Sequence, residues 1–141
     1  MNRIARILHI AKSLTSNLVS IFDIVDEETI NDQREQLYDL IDPEEERNYK
    51  YEVKTISAKQ AKKQFMTMQE DMTVFESFVD NANKDQKEIV KDKMRSFDTN
   101  RIIVTSNDKV VDGNHHLIAA IKLDKPIKYI NLQDPIETTP R

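Results

Sequence analysis

The sequence predicts an α+β domain, a small mixed sheet with packed helices, preceded by an N-terminal amphipathic helical pair. Apolar residues recur every three or four positions over residues 4–25, as on one face of a helix. Apolar and polar residues instead alternate over residues 49–56, as in a half-buried strand. Over residues 101–132, two β-branched runs flank a turn and lead into a helix and a last strand.

The N-terminal region, residues 1–47, is predicted to be a helical appendage that ends in a solvated acidic linker. Its first helix carries an apolar stripe from Ile4 to Val25, and a second helix begins at Asp26 and ends at Asp42-Pro43. The polar face of the first helix is basic, which also suits a membrane surface. Packing of the stripe on the domain or on a partner is favoured, because most amphipathic helices bury their apolar face. We therefore expect a protein partner or a homo-oligomer through these helices.

The core domain is predicted over residues 48–133, and residues 134–141 are predicted to be an irregular tail. The patterns indicate a strand, three helices, a hairpin, a further helix and a final strand. The predicted ranges are 49–56, 57–65, a stretch around 74–79, a stretch around 89–97, 101–105 with 109–111, 114–123 and 127–132. The aromatic residues interpreted as core packing are Tyr49, Tyr51, Phe75 and Phe78.

Composition excludes several classes of function. The 21 basic and 25 acidic residues give a formal net charge of −4, which does not favour DNA binding except at a local basic patch. The absence of cysteine excludes disulfides, thiolate metal sites and cysteine nucleophiles. No apolar run approaches the roughly 20 residues of a membrane span, so a cytoplasmic location is expected. The single glycine, Gly113, excludes glycine-rich Walker and dinucleotide-binding loops.

The lone glycine lies in the run Asp112-Gly113-Asn114-His115-His116, between the predicted hairpin and helix. Such a turn presents the N–H groups of a helix's first turn at an exposed point, which favours an anion or a phosphate. An imidazole at that point can donate or accept a proton near neutral pH. The predicted phosphate-binding residues are Gly113, Asn114, His115 and His116, and the predicted catalytic residues are His115 and Asp112. Adjacent helical residues diverge by about 100°, so the two histidines predict no metal site.

Each of these assignments has a structural alternative. His115 can hold the turn through hydrogen bonds instead of binding a ligand. Asp112 can bind a metal or a ribose, or it can serve the turn alone. The cluster of Lys59, Lys62 and Lys63 can guide phosphate groups, but a solvated lysine face is the commoner arrangement.

The run from Ile102 to Ala120 resembles the ParB-like nuclease domain signature of the ParB/sulfiredoxin-like superfamily. That signature is D-G-x-H-R followed by a helix rich in small residues, and Asp112-Gly113 and His115 match it. Members of that superfamily bind cytidine or adenosine triphosphate, phosphorylate free serine or act as nucleases, so the resemblance implies a fold and a phosphate site. Asn114 replaces the cysteine that sulfiredoxins need, and His116 replaces the arginine that contacts phosphate.

The layout is similar to that of short ParB-like proteins of tailed bacteriophages. The resemblance implies a nucleotide or another phosphate-bearing ligand, a magnesium-nucleotide as cofactor, and a weak hydrolase or nuclease activity. It places the protein in the host cytoplasm or in a phage particle. The alternative is a non-enzymatic structural or interaction protein, for example a component of a phage particle or another assembly. The loss of the arginine favours this alternative, because the imidazole of His116 lacks a guanidinium's planar fork.

Overall fold

The computed structural model describes residues 6–7, 17–25, 42–69 and 71–137, and it confirms the mixed α+β class. In those ranges the strands are β1 (Arg6–Ile7), β2 (Leu18–Val19), β3 (Tyr49–Glu52), β4 (Lys54–Ile56), β5 (Ile102–Ser106), β6 (Lys109–Asp112), β7 (Ile127–Asn131) and β8 (Ile136–Glu137). The helices of the same ranges are α1 (Ile21–Ile24), α2 (Pro43–Glu46), α3 (Ala58–Gln64), α4 (Val74–Asn81), α5 (Lys84–Arg95) and α6 (Asn114–Leu123).

The described strands form two four-stranded sheets, with the orders β4-β7-β5-β6 and β1-β8-β3-β2. In the first sheet β5 and β7 are parallel, whereas β4 and β6 pair antiparallel with their neighbours. Helix α6 lies in the connection between β6 and β7, and it returns the chain to the far side of β5. The start of α6 therefore lies at an edge strand of this sheet.

Local sequence explains where these elements turn and begin. Asn107 and Asp108 both have positive φ angles, as the tight hairpin between β5 and β6 requires, so the predicted hairpin is confirmed. The side chains of Ser57, Thr73 and Asn83 accept hydrogen bonds from first-turn N–H groups and fix the starts of α3, α4 and α5. Helix α6 matches its predicted range and ends at Asp124 in a left-handed conformation.

Two apolar clusters hold these layers together. The first cluster packs helices α3 to α6 on the first sheet, and its fully buried side chains include Phe65, Ile103 and Leu117. The second lies on the other side of the sheet around Tyr51 and Ile130. Phe75 and Phe78 pack against the first cluster and Tyr49 against the second, so the core interpretation of the aromatic residues is confirmed.

The predicted continuous helix over residues 4–25 is wrong where the structure describes it. Strand β1 pairs in parallel with β8, and β2 pairs antiparallel with β3. Only α1 is helical there, and its residue Ile21 is buried beside Val25 and Tyr51 in the second cluster. In the described part of this range, the chain therefore forms paired strands and a single helical turn, because tertiary contacts override helical periodicity. The predicted second helix over 26–41 lies outside the described residues.

Three further predictions need correction. The predicted strand over 49–56 is divided at Val53, whose N–H donates to the carbonyl of Asn17 at 2.9 Å. The predicted acidic linker contains α2, which Asp42 caps. Glu46 of this helix is fully buried, and its carboxylate oxygens Oε1 and Oε2 lie 2.8 and 2.7 Å from the Tyr51 hydroxyl, which donates to them. The predicted irregular tail contributes β8 to the second sheet. The domain division near Asn48 stays a prediction, although β1, β2 and β8 pair across it.

None of the helices in the described ranges combines the length and the apolar character needed to cross a membrane.

Candidate functional site

The turn from β6 into α6 depends on Gly113. Its φ angle is +104°, which side chains other than glycine rarely allow. A Cβ atom at this position would lie 2.5 Å from Cγ2 of Ile103, so the backbone of the turn packs directly on β5. The Leu117 N–H donates to the Gly113 carbonyl at 2.9 Å and begins the hydrogen bonding of α6. Because glycine has no side chain, the first-turn N–H groups of α6 receive no side-chain cap.

The side chains of the two adjacent histidines after the turn lie in different environments. His115 is half-buried and lines an open cleft at the start of α6. His116 is only 4% exposed, and its ring stacks on Phe97 with centroids 4.7 Å apart and an interplanar angle of 17°. Of the two predicted phosphate-binding histidines, the structure therefore brings only His115 to a surface that a ligand can reach. The buried and stacked ring of His116 acts as a core aromatic group.

The open cleft that His115 lines is called the α6 cleft. It has a volume of about 380 Å³ and lies between the loop after α3, helix α4 and the N-termini of α5 and α6. Its lining residues are Thr67, Met68, Gln69, Val74, Ser77, Phe78, Asn81, Ala82, Gln86, Val110, Asn114, His115 and Ile118. Two of the predicted phosphate-binding residues, Asn114 and His115, are thus neighbours in one cleft. Val110 and Ile118 belong to the same run of the sequence, whereas the other lining residues come from parts of the chain that the motif did not indicate.

Asp112 is engaged in an ion pair that the sequence analysis missed. Its Oδ2 atom accepts a hydrogen bond from Nη2 of Arg101 at 3.0 Å, and Asp112 is 8% exposed. Nη1 of Arg101 also reaches the carbonyl of Ile24 at 3.5 Å. Asp112 therefore ties the turn to α1 and is not among the lining residues of the cleft. The predicted hairpin could have indicated this ion pair, because it brings the end of β6 beside the start of β5.

Both imidazoles of the motif are neutral at pH 7. Burial, followed by the positive charges of Arg101 and Lys93, lowers the pKa of His116 to about 4, and Asp98 acts in the opposite direction. Burial also lowers the pKa of His115, and the charge of Lys93 adds to this effect. The ring of His115 therefore offers the cleft one hydrogen-bond donor and one acceptor but no full positive charge.

The donor set does not fit a resident metal ion. In the described ranges, no group of three or more histidine, aspartate or glutamate side chains is arranged to hold a metal. Mg²⁺ prefers carboxylate oxygens, but the α6 cleft is lined by none and Asp112 is paired with Arg101. We therefore assign no chemical step to a protein-bound magnesium ion.

The lysine cluster lies apart from the α6 cleft. Lys59, Lys62 and Lys63 line a separate hollow with Phe75, and Nζ of Lys62 lies 4.5 Å from the centre of that ring. Because none of the three lysines lines the α6 cleft, a ligand in that cleft would not contact them directly.

Comparisons with known proteins give no relative for this chain: no protein-family model, curated protein or solved structure matches it. The ParB-like resemblance therefore stays a prediction that depends on the motif alone.

A double-mutant cycle should show that the Asp112–Arg101 pair is coupled. We expect Asp112→Ala to lower the free energy of unfolding by about 3 kcal/mol, because it leaves a half-buried guanidinium without its partner. Together with Arg101→Ala it should give a coupling energy of about 1–3 kcal/mol. Urea denaturation measures the free energy of unfolding of the two single variants and of the double variant. The control is the exposed Asp92–Arg95 pair at 2.8 Å, for which we expect a coupling below about 1 kcal/mol. Equal couplings for the two pairs would contradict the structural role of Asp112.

Acid should destabilise the protein through His116. Because its folded pKa of about 4 lies below the unfolded value of 6.5, the unfolded chain takes up the proton first as the pH falls. The stability from the neutral ring is complete above pH 6.5 and is lost between pH 6.5 and about 4. In urea denaturation, wild type should lose about 2–3 kcal/mol more between pH 7 and 4.5 than His116→Phe, which keeps an aromatic ring against Phe97. Parallel pH profiles for the two proteins would show that His116 is not buried in the neutral form.

Proposed function

We propose that this protein binds a nucleotide or another phosphate-bearing ligand in the α6 cleft. One observation carries the proposal: the uncapped N-terminus of α6 adjoins a cleft of about 380 Å³, and Asn114 and His115 line it. This volume lies within the range of small-molecule sites, about 300–1,000 Å³. The N–H groups at a helix start attract anions, and they receive no side-chain cap here.

The proposed roles follow from the contacts of each residue. Gly113 lets the turn pack on Ile103 and so places the start of α6. In this proposal the first-turn N–H groups and the Asn114 amide donate to the phosphate, and the neutral His115 ring adds one further hydrogen bond. His116 stacks on Phe97 and Asp112 pairs with Arg101, and these two contacts fix the turn on its buried side. The function is therefore proposed as binding, and the hydrolase or nuclease expectation receives no support from the lining.

The second candidate is a non-enzymatic structural or interaction protein that has kept the fold without a phosphate clamp. It is favoured by the position of His116, which fills the arginine position of the motif from inside the core. Apolar side chains that remain exposed on α4 and α5 also favour it, since Val79 is 62% exposed and Ile89 is 41% exposed. A component of a phage particle or of another assembly, as the phage-like layout suggests, would have such surfaces.

Isothermal titration calorimetry with the four ribonucleoside monophosphates and triphosphates tests the proposal. We expect saturable binding by at least one ligand, and we expect His115→Ala to weaken it by about tenfold or more. The control is Lys63→Ala in the separate lysine hollow, which should leave the affinity unchanged. The absence of binding at millimolar ligand would overturn the proposal in favour of the second candidate. Loss of binding only in the lysine variant would place the anion elsewhere.

A further inference from the structure

The α6 cleft carries no formal charge on its lining. In the part of the chain that the structure describes, none of its lining side chains is a lysine, arginine, aspartate or glutamate. The polar groups are instead two hydroxyls, one neutral imidazole and the four carboxamides of Gln69, Asn81, Gln86 and Asn114. The chemistry of this lining differs from that of a polyphosphate site.

The neutral lining limits the negative charge that a ligand can bring. Charged phosphate groups lose hydration in a cleft, and sites for them usually supply arginine, lysine or a metal ion in return. The start of α6 supplies a partial positive charge equivalent to roughly half an elementary charge. The start of α5 also adjoins the cleft, but Asn83 caps it and Asp85 lies in its first turn. Lys93 is close enough to lower the pKa of His115, so the same end of the cleft has one further positive field. One phosphate has partners there, but a second or third phosphate does not.

The rest of the lining suits a nucleobase. A carboxamide presents a donor and an acceptor side by side, which matches the donors and acceptors on the edges of the bases. The side chain of Gln69 makes no hydrogen bond with any described residue. Oε1 of Gln86 accepts from the Asn83 N–H at 3.0 Å, which leaves its NH₂ group to donate. The ring of Phe78 adds an aromatic wall on which a base can stack.

We infer that the ligand of the α6 cleft is a nucleoside monophosphate and not a di- or triphosphate. Its phosphate lies at the start of α6 beside Asn114 and His115. Its base lies against Phe78 and the carboxamides of Gln69 and Gln86. The inference rests on the proposed function and deepens it, because it assigns the number of phosphates and the part of the ligand that each wall contacts. No bond is made or broken in this binding step.

A calorimetric series on the full chain tests this assignment. The probes are, for each of the four bases, the nucleoside, the 5′-monophosphate and the 5′-triphosphate, without magnesium. We expect one monophosphate to bind at least tenfold more tightly than its nucleoside and its triphosphate. A triphosphate that binds as tightly as the monophosphate, or more so, would overturn the inference and leave the proposed function intact. Equal affinity for nucleoside and monophosphate would also overturn it, and binding by none of the probes would overturn the proposed function itself.

A second experiment adds a lysine to the cleft and looks for a gain in affinity, so its result does not depend on loss of folding. Asn81→Lys adds a positive charge to an exposed lining position at the end of α4. We expect it to improve triphosphate binding at least fivefold more than monophosphate binding. The matched control is Val79→Lys, which adds the same charge to the same helix outside the α6 cleft and should change both affinities equally. An Asn81→Lys variant that behaves like its control would show that charge on the lining does not select the ligand.

Discussion

The close approach of Gly113 to Ile103 is the constraint on which the rest of the site depends. A glycine with φ of +104° lets the end of β6 turn directly over β5, where a Cβ atom would lie 2.5 Å from Cγ2 of Ile103. This contact sets the position and rotation of α6 above the sheet. With that rotation, residues 116–120 enter the core, whereas Asn114 and His115 remain at the cleft. This close contact thus separates the residues of the motif that pack in the core from those that line the cleft.

Electrostatic interactions on the buried side of the turn support the same separation of core residues from cleft residues. The Arg101–Asp112 pair joins the turn to the carbonyl of Ile24, and therefore to the N-terminal part of the second apolar cluster. Burial, followed by the positive charges of Arg101 and Lys93, keeps His116 neutral against Phe97. A charged ring at that position would lack a partner in the core. The buried residues of the motif therefore fix the position of the residues that line the cleft.

Sequence patterns predicted the elements that local turn residues define, but the apolar periodicity over residues 4–25 predicted a helix where the described residues form β1, β2 and α1. The hairpin at Asn107-Asp108 and the start of α6 at Gly113 follow from local turn chemistry, so both were predictable. Strands β1, β2 and β8 have two residues each, which is too short for a periodic signal, and β1 pairs with β8 across most of the chain. The role of Arg101 depends on the register of β5 and β6, including a shift between Val104 and Thr105. The cleft walls from α4 and α5 likewise meet α6 only through tertiary packing.

The most direct test of this account is a nuclear magnetic resonance titration of the imidazole carbon-bound protons with inorganic phosphate at constant pH and ionic strength. We predict saturable shifts for His115, which lines the α6 cleft, and unchanged resonances for His116, which stacks on Phe97. Sodium chloride at matched ionic strength serves as the reference. Saturable shifts at His116, or no shift at His115 when phosphate is saturating, would contradict the division of the motif into a face that lines the cleft and a face that packs in the core.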